Sequence, residues 1–439
     1  MLETNTLRKN KIHLSDYPYA QDVECRMLMS DFSTLDIEIM EEILYSPLKI
    51  SLKKLARSLG CDETALQESL RRFASVGLLS IAEDAILIDK EKRKYFEFEM
   101  TRFEPHFKPD MEFLQGLLRK VPIQVLPSWY AIPRTSNNIF ESIVEKYLFT
   151  PHIFQRYLAD LHFADPTLNA IIQDVFQSPD LKVSSSDLIA KYNLTAKSFE
   201  EMILLLEFHF ACCLIFEKEG DHWLEYVTPF HEWREYLCFF RATEPVCLDP
   251  RDPIESRSVQ DFAFIEEMSS LLLQAKPKKI AVAKTRAVEK LVLLKLAEYE
   301  GGLLHALEAG DAWLDLSLEN RALFLYRHPQ NRILSLSAGE RYVREAEKSI
   351  KRVLHGGWVY FDDFLKGVLV PLNEQSVVML KKGGKHWKYT LPVYGEEEKK
   401  LLHATIFEWL YEFGMVTIGK CRGRDCFAAT PFGRFFFED

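Results

Sequence analysis

Residues 46–90 read SPLKISLKKLARSLGCDETALQESLRRFASVGLLSIAEDAILIDK, and the pattern in this stretch decides the fold class. Ser46-Pro47 closes a helical pattern, because the residue before a proline is pushed out of the helical region. Leu52, Leu55, Ala56 and Leu59 mark one face of a short helix, and Gly60-Cys61-Asp62 makes a tight turn. Leu66, Leu70, Phe73 and Ala74 recur at helical spacing until Gly77 stops the second helix. Two short apolar runs follow, Leu78 to Ile81 and Ala85 to Ile88, split by the polar Glu83-Asp84. Helix, turn, helix and then a two-stranded hairpin is the order of a winged helix.

Working outward, Leu35, Ile37, Ile39, Met40, Ile43 and Leu44 supply the first helix of this unit, and Lys90 to Met100 continues it as another helix. Residues 1–33 are polar, with Arg8, Lys9 and Lys11, and are expected to form a loose N-terminal arm. The segment 103–150 carries Pro105, Pro109, Pro122, Pro127 and Pro133 and reads as a helical connector with one short helix at Met111 to Leu118. The unit then repeats. Leu168, Ile171, Ile172 and Val175 share a helix face, and Ser178-Pro179 follows as Ser46-Pro47 did. Val183, Leu188, Tyr192, Phe199, Ile203 and Leu206 stand where Ile50, Leu55, Leu59, Leu66, Leu70 and Phe73 stood. Cys212 to Phe216, Glu219-Gly220-Asp221 and Trp223 to Val227 complete a second hairpin.

Thr243 to Ser258, rich in Pro and Asp, reads as a linker. Helices are expected at Phe262 to Gln274, at Val288 to Tyr299, and from Leu318 behind Ser317 as N-cap. The last unit has a helix at Arg341 to Leu354, a short one at Phe361 to Val368, and a long one at Glu396 to Phe413. Its hairpin, Met415 to Gly419 and Cys426 to Thr430, turns around Arg422-Gly423-Arg424. The expected division is an arm at 1–33, winged units at 34–102 and 151–245 flanking the connector, a linker with a winged-helix-like unit at 246–340, and a C-terminal winged helix at 341–439. The expected fold class is mainly α with small β wings (α+β), as tandem winged-helix units joined by helical linkers.

With 439 residues, 47% of them hydrophobic, the chain can bury several cores. Its net charge of -10 excludes a global basic footprint, so any nucleic-acid site has to be a local patch. Eight cysteines in so long a chain read as reduced, mostly buried thiols. With no secretory leader pattern and no apolar run of about 18 residues, a cytoplasmic location and no membrane partner are expected.

The C-terminal motif resembles a known family. A Gly-Trp before a short helix, a long helix ending in Phe-Gly-Met-Val, an Arg-Gly-Arg hairpin and a closing Ala-Thr-Pro-Phe-Gly-Arg are similar to the helicase-associated winged-helix domain related to the N-terminal region of XPB-type helicases. Gly414, Met415, Val416, Thr430, Pro431, Gly433 and Arg434 stand at the matching places, and Trp313-Leu314-Asp315-Leu316-Ser317 with Arg321 looks like that family's bridge. The resemblance covers about 255 to 439 and implies a nucleic-acid setting. It does not imply a motor, because the chain has no G-x-x-x-x-G-K-[ST] loop and no acidic Asp-Glu-x-His box.

The helices that would enter a major groove offer Thr64, Gln67, Arg71 and Arg72 in the first unit, Lys197 and Ser198 in the second, and Lys399, Lys400 and His403 in the last. Each also carries acids, Asp62, Glu63 and Glu68, then Glu200 and Glu201, then Glu396 to Glu398, which suit a helix dipole and repel phosphate. Two basic clusters are the nucleic-acid-binding candidates. One is Lys276, Lys278, Lys279, Lys284 and Arg286. The other is Lys381, Lys382, Lys385, Lys388, Lys420, Arg422, Arg424 and Arg434, with His386, Trp387 and Tyr389 interleaved for stacking. Cys421 and Cys426 read as facing hairpin residues, and His209 and His231 as core histidines. No catalytic residue, cofactor or metal site is expected. The function expected is a non-enzymatic DNA-associated or regulatory adaptor that touches nucleic acid through its C-terminal half. The alternative is an acidic protein–protein scaffold that binds no nucleic acid, and a protein partner is expected in either case.

Overall fold

Four small antiparallel sheets share one strand order, and the helices between their strands set the architecture. The computed structural model describes residues 12–82, 85–121, 157, 161–220, 222–256, 260–336, 339–383 and 386–438. The first repeat has α1 (Ala20–Ser30), α2 (Thr34–Tyr45), β1 (Lys49–Ser51), α3 (Leu52–Leu59), α4 (Glu63–Ser75), β2 (Leu79–Ala82) and β3 (Ala85–Ile88), followed by α5 (Lys90–Glu99) and α6 (Met111–Leu118). The second has α7 (Pro166–Gln177), β4 (Val183–Ser184), α8 (Ser185–Tyr192), α9 (Ala196–Phe208), β5 (Cys212–Glu219) and β6 (His222–Pro229), followed by α10 (His231–Thr243). In both, the last strand is central, between the hairpin partner and the first strand, with Ile50 opposite Ile86 and Val183 opposite Val227. Both opening helices end at a serine before proline, Ser46 and Ser178.

The third repeat has α11 (Ala263–Ala275), β8 (Ile280–Ala281), α12 (Arg286–Leu293), β9 (Ala297–Glu300) and β10 (Leu303–Ala306), with a single helix between its first strand and its hairpin; β7 (Ile254–Ser256) precedes it, and α13 (Glu308–Leu314) and α14 (Leu318–Arg327) follow. The fourth has α15 (Glu340–Glu347), β11 (Val359–Tyr360), α16 (Phe361–Leu365), an inserted hairpin of β12 (Leu380–Gly383) and β13 (His386–Tyr389), and then α17 (Glu396–Ala404). A π-helical stretch, Thr405–Leu410, prolongs α17 before β14 (Val416–Cys421), β15 (Arg424–Ala429) and α18 (Pro431–Glu438). The orders β8-β10-β9 and β11-β15-β14 repeat the arrangement of the first two sheets, and β7 adds a strand beside β14. The described chain is thus mostly helical with small antiparallel sheets, an α+β architecture.

One local device recurs in all four repeats. The helix before each hairpin ends with a residue in the left-handed region: Gly77 (φ 78°), Phe210 (φ 54°), Lys295 (φ 57°) and Gly414 (φ 69°). The next residue's N–H then bonds back five residues, Leu78 to Phe73, Ala211 to Leu206, Leu296 to Leu291 and Met415 to Leu410, at 2.9–3.1 Å. These are Schellman caps, which satisfy otherwise orphaned helix-end carbonyls. Both partners of every such bond are buried apolar residues, so the cap also seats the first hairpin residue in the core.

The chain divides into two compact units, Met1–Cys238 with Lys382–Lys388 and Phe239–Lys381 with Tyr389–Asp439. One core cluster, from Cys25 to Val227, spans the first two repeats, and another, from Phe264 to Phe437, spans the last two. No helix of the described residues is long and apolar enough to cross a membrane. The eight cysteines are free thiols; Cys25, Cys212, Cys213, Cys421 and Cys426 are buried, while Cys238 and Cys247 are exposed.

Several expectations need correction. Residues 20–30 of the expected arm form a helix that buries Val23, Cys25 and Met29, while Arg8, Lys9 and Lys11 lie outside the described residues. Polar residues hid this helix, because Asp22 and Arg26 are buried as ion pairs. The expected helix from Val288 to Tyr299 stops at Leu293, and Ala297–Glu300 is a strand; a lysine makes the left-handed stop, so no glycine signals it. Part of the expected 243–258 linker is β7, with Lys420 opposite Glu255. Pro122, Pro127 and Pro133 of the connector lie outside the described residues.

Candidate nucleic-acid interface

In the first repeat, Ser51 Oγ caps α3 by accepting the Lys54 N–H at 3.3 Å. The helix buries Leu55 and Ala56, which turns Lys53, Lys54 and Arg57 outward. After the left-handed Gly60, α4 buries Leu66, Ser69, Leu70 and Phe73 and leaves Thr64, Gln67, Glu68 and Arg71 exposed. Arg72 is diverted from this face: it pairs with Asp36 at 3.2 Å and donates to the Asp31 carbonyl at 3.1 Å. Lys49, Lys53, Lys54, Arg57 and Arg71 are exposed and make no ion pair among the described residues. Residues 49–75 hold six cations against three anions, so a local positive face stands on an acidic chain.

The equivalent helices of the other repeats are enclosed. In α9 nothing from Phe199 to Phe208 is exposed. The α12 helix exposes only Val292, and in the stretch from Leu401 to Val416 only His403 and Glu408 are even partly open. The first turn of α17 neutralises itself, with Lys399 on Glu396 at 3.0 Å and Lys400 on Glu397 at 2.9 Å.

The two basic clusters read from sequence are largely compensated. Lys276 pairs with Asp311 at 3.0 Å, Lys284 with Glu289 at 3.2 Å, and Arg286 with Glu408 and, at 2.9 Å, with Glu412. Lys278 and Lys279 stay exposed on the turn after α11. In the C-terminal hairpin Lys420 is 3.8 Å from Asp425, Arg422 is 2.7 Å from Asp252, and Arg424 is 3.6 Å from Asp362 and 3.8 Å above the Tyr360 ring. Arg434 is half-buried in α18. Lys381 and Lys388 are exposed; Lys385 and the side chains of Lys382, His386 and Trp387 lie outside what is described.

The family-like motif residues hold the last helix to its hairpin. Thr430 Oγ1 donates to the Gly414 carbonyl at 2.6 Å and accepts the Gly433 N–H at 3.0 Å. A Cβ at Gly433 would collide with the Met415 carbonyl. Burial pushes the Cys426 thiol up to about 11, so it is no thiolate at neutral pH. His209 and His231 are buried.

Sequence reasoning missed a buried ionic network in the first unit. Arg26 on α1 donates to Glu200 at 2.7 Å and to Glu207 at 2.8 Å, both on α9. Arg102 donates to Glu99 and to Glu207, each at 2.7 Å, and Lys120 reaches Glu99 at 2.9 Å and Asp22 at 3.1 Å. Two acids seven apart on the apolar α9 were the available signal, since helical residues at that spacing share a face. Arg286 and Lys290 with Glu412 form the corresponding buried staple in the second unit. No family model matches the chain, and no curated protein is significantly similar to it.

Proposed function

We propose that the chain is a non-enzymatic, DNA-associated adaptor built of tandem winged helices. Support for the winged-helix reading comes from the shared strand order, the helix pairs before the hairpins of the first, second and fourth repeats, and the four matching helix caps. Duplex contact is assigned to α3 and α4, with Gln67 and Arg71 facing bases and Lys49, Lys53, Lys54 and Arg57 facing phosphates. The observation that carries this is the coincidence of an exposed second helix with unpaired cations beside it. The C-terminal cations named from sequence have weaker support, because a paired arginine must give up its carboxylate before it neutralises a phosphate. The helicase-associated resemblance remains part of the proposal, as a reason to expect a nucleic-acid setting.

The test is duplex binding by fluorescence anisotropy across a salt series. Lys54→Glu with Arg71→Glu should weaken binding about tenfold or more and lower the salt slope by about one, for the phosphate contact of Lys54. Arg422→Glu with Arg424→Glu should change it less. The scaffold reading, which the net charge of -10 favours, expects no binding even at low salt.

A further inference from the structure

A cleft of about 580 Å3 opens in the first unit between α2, the segment after Phe103 and the β5–β6 hairpin, and the nucleic-acid reading does not use it. Its floor is aromatic. Phe103 stacks on Phe216 with centroids 4.0 Å apart and planes 6° from parallel, and Trp223 meets Phe103 edge-on at 5.3 Å. Its rim is acidic, with Glu38, Glu41 and Glu104 exposed and without an ion pair among the described residues. Glu217 is already held by Lys182 at 2.6 Å, and Lys218 is the rim's one cation.

We infer that this cleft docks a basic segment of a partner protein, with an arginine side chain over the aromatic floor and its charge met by Glu38, Glu41 and Glu104. Charge complementarity makes the choice. Three free carboxylates repel phosphate and acidic peptides, whereas a guanidinium combines stacking on a ring with forked hydrogen bonding to a carboxylate. A plain apolar segment would leave the carboxylates partly desolvated and unpaired. The cleft is therefore a protein-docking site that stands whether or not α3 and α4 bind DNA.

The test is calorimetric titration of the full chain with a synthetic Gly-Arg repeat peptide, with a Gly-Glu repeat as control. Glu38→Gln, Glu41→Gln and Glu104→Gln together should weaken Gly-Arg binding by about tenfold or more. A control triple with the same charge change, Glu298→Gln, Glu300→Gln and Glu319→Gln, alters exposed positions of the second unit and should leave affinity within about twofold. Equal losses in both triples would show mere attraction to an acidic surface and overturn the inference, as would no binding by the unaltered chain.

Discussion

Glu207 has no exposed surface and lies between Arg26 and Arg102. Burial alone would raise its carboxyl, but the two guanidiniums outweigh burial and hold it at about 2. A carboxyl held below its ordinary 4.5 contributes stability that is present above that value and lost as pH falls toward 2. Glu207→Gln should cost about 3 kcal/mol at neutral pH, because two buried arginines lose their shared anion. Urea unfolding should show that deficit shrinking below about pH 4.5; a deficit constant with pH would contradict the assignment. Glu232 behaves in the opposite sense. Burial pushes it up to about 8, against the Met111 N–H that donates to its Oε1 at 3.1 Å. The stability tied to its neutral form is present below 4.5 and lost as pH rises to about 8. Glu232→Gln keeps the acceptor and removes the ionisation. It should gain on the parent as pH rises, reaching on the order of 4 kcal/mol near pH 8, whereas parallel stability curves would contradict this.

At the scale of elements, the four left-handed helix stops show what the sequence made legible. Gly77 and Gly414 announce their stops, because glycine enters that region at no steric cost. Phe210 and Lys295 make the same turn without announcing it. In the second repeat the strand pattern after Phe210 still revealed the hairpin. In the third, Val288, Leu291 and Leu294 carried the helical period past the true end, so β9 was read as helix. Lys295 is exposed, so Lys295→Gly relieves the backbone without losing packing and should stabilise by about 0.5–1 kcal/mol. Gly414→Ala should destabilise, since its Cβ would press on Phe262 and the Asp261 carbonyl. Thermal unfolding of the two variants checks both signs. The cations of α3 carry no such signal in the sequence: the second helix of each pair meets base edges, yet phosphates are met by its neighbours as well.

At the scale of the whole molecule, each pair of repeats has its own core and its own buried ionic staple, Arg26 and Arg102 with Glu207 in one and Arg286 and Lys290 with Glu412 in the other. Element order and α+β class were readable because helix and strand periods survive in local sequence. The pairing of repeats was not, because it rests on contacts as distant as Arg26 with Glu207. Calorimetry should therefore resolve two transitions, with Glu207→Gln lowering one and Glu412→Gln the other; a single transition moved by both would contradict two separately stabilised units. The proposed meeting of the first repeat's helix pair with duplex DNA is tested by anisotropy of a labelled duplex with the full chain, from about 50 to 200 mM salt. Binding should fall steeply with salt and be weakened about tenfold or more in the Lys54→Glu, Arg71→Glu variant, while Arg422→Glu, Arg424→Glu changes it less. Full binding by the first variant, or none by the parent at low salt, would contradict it.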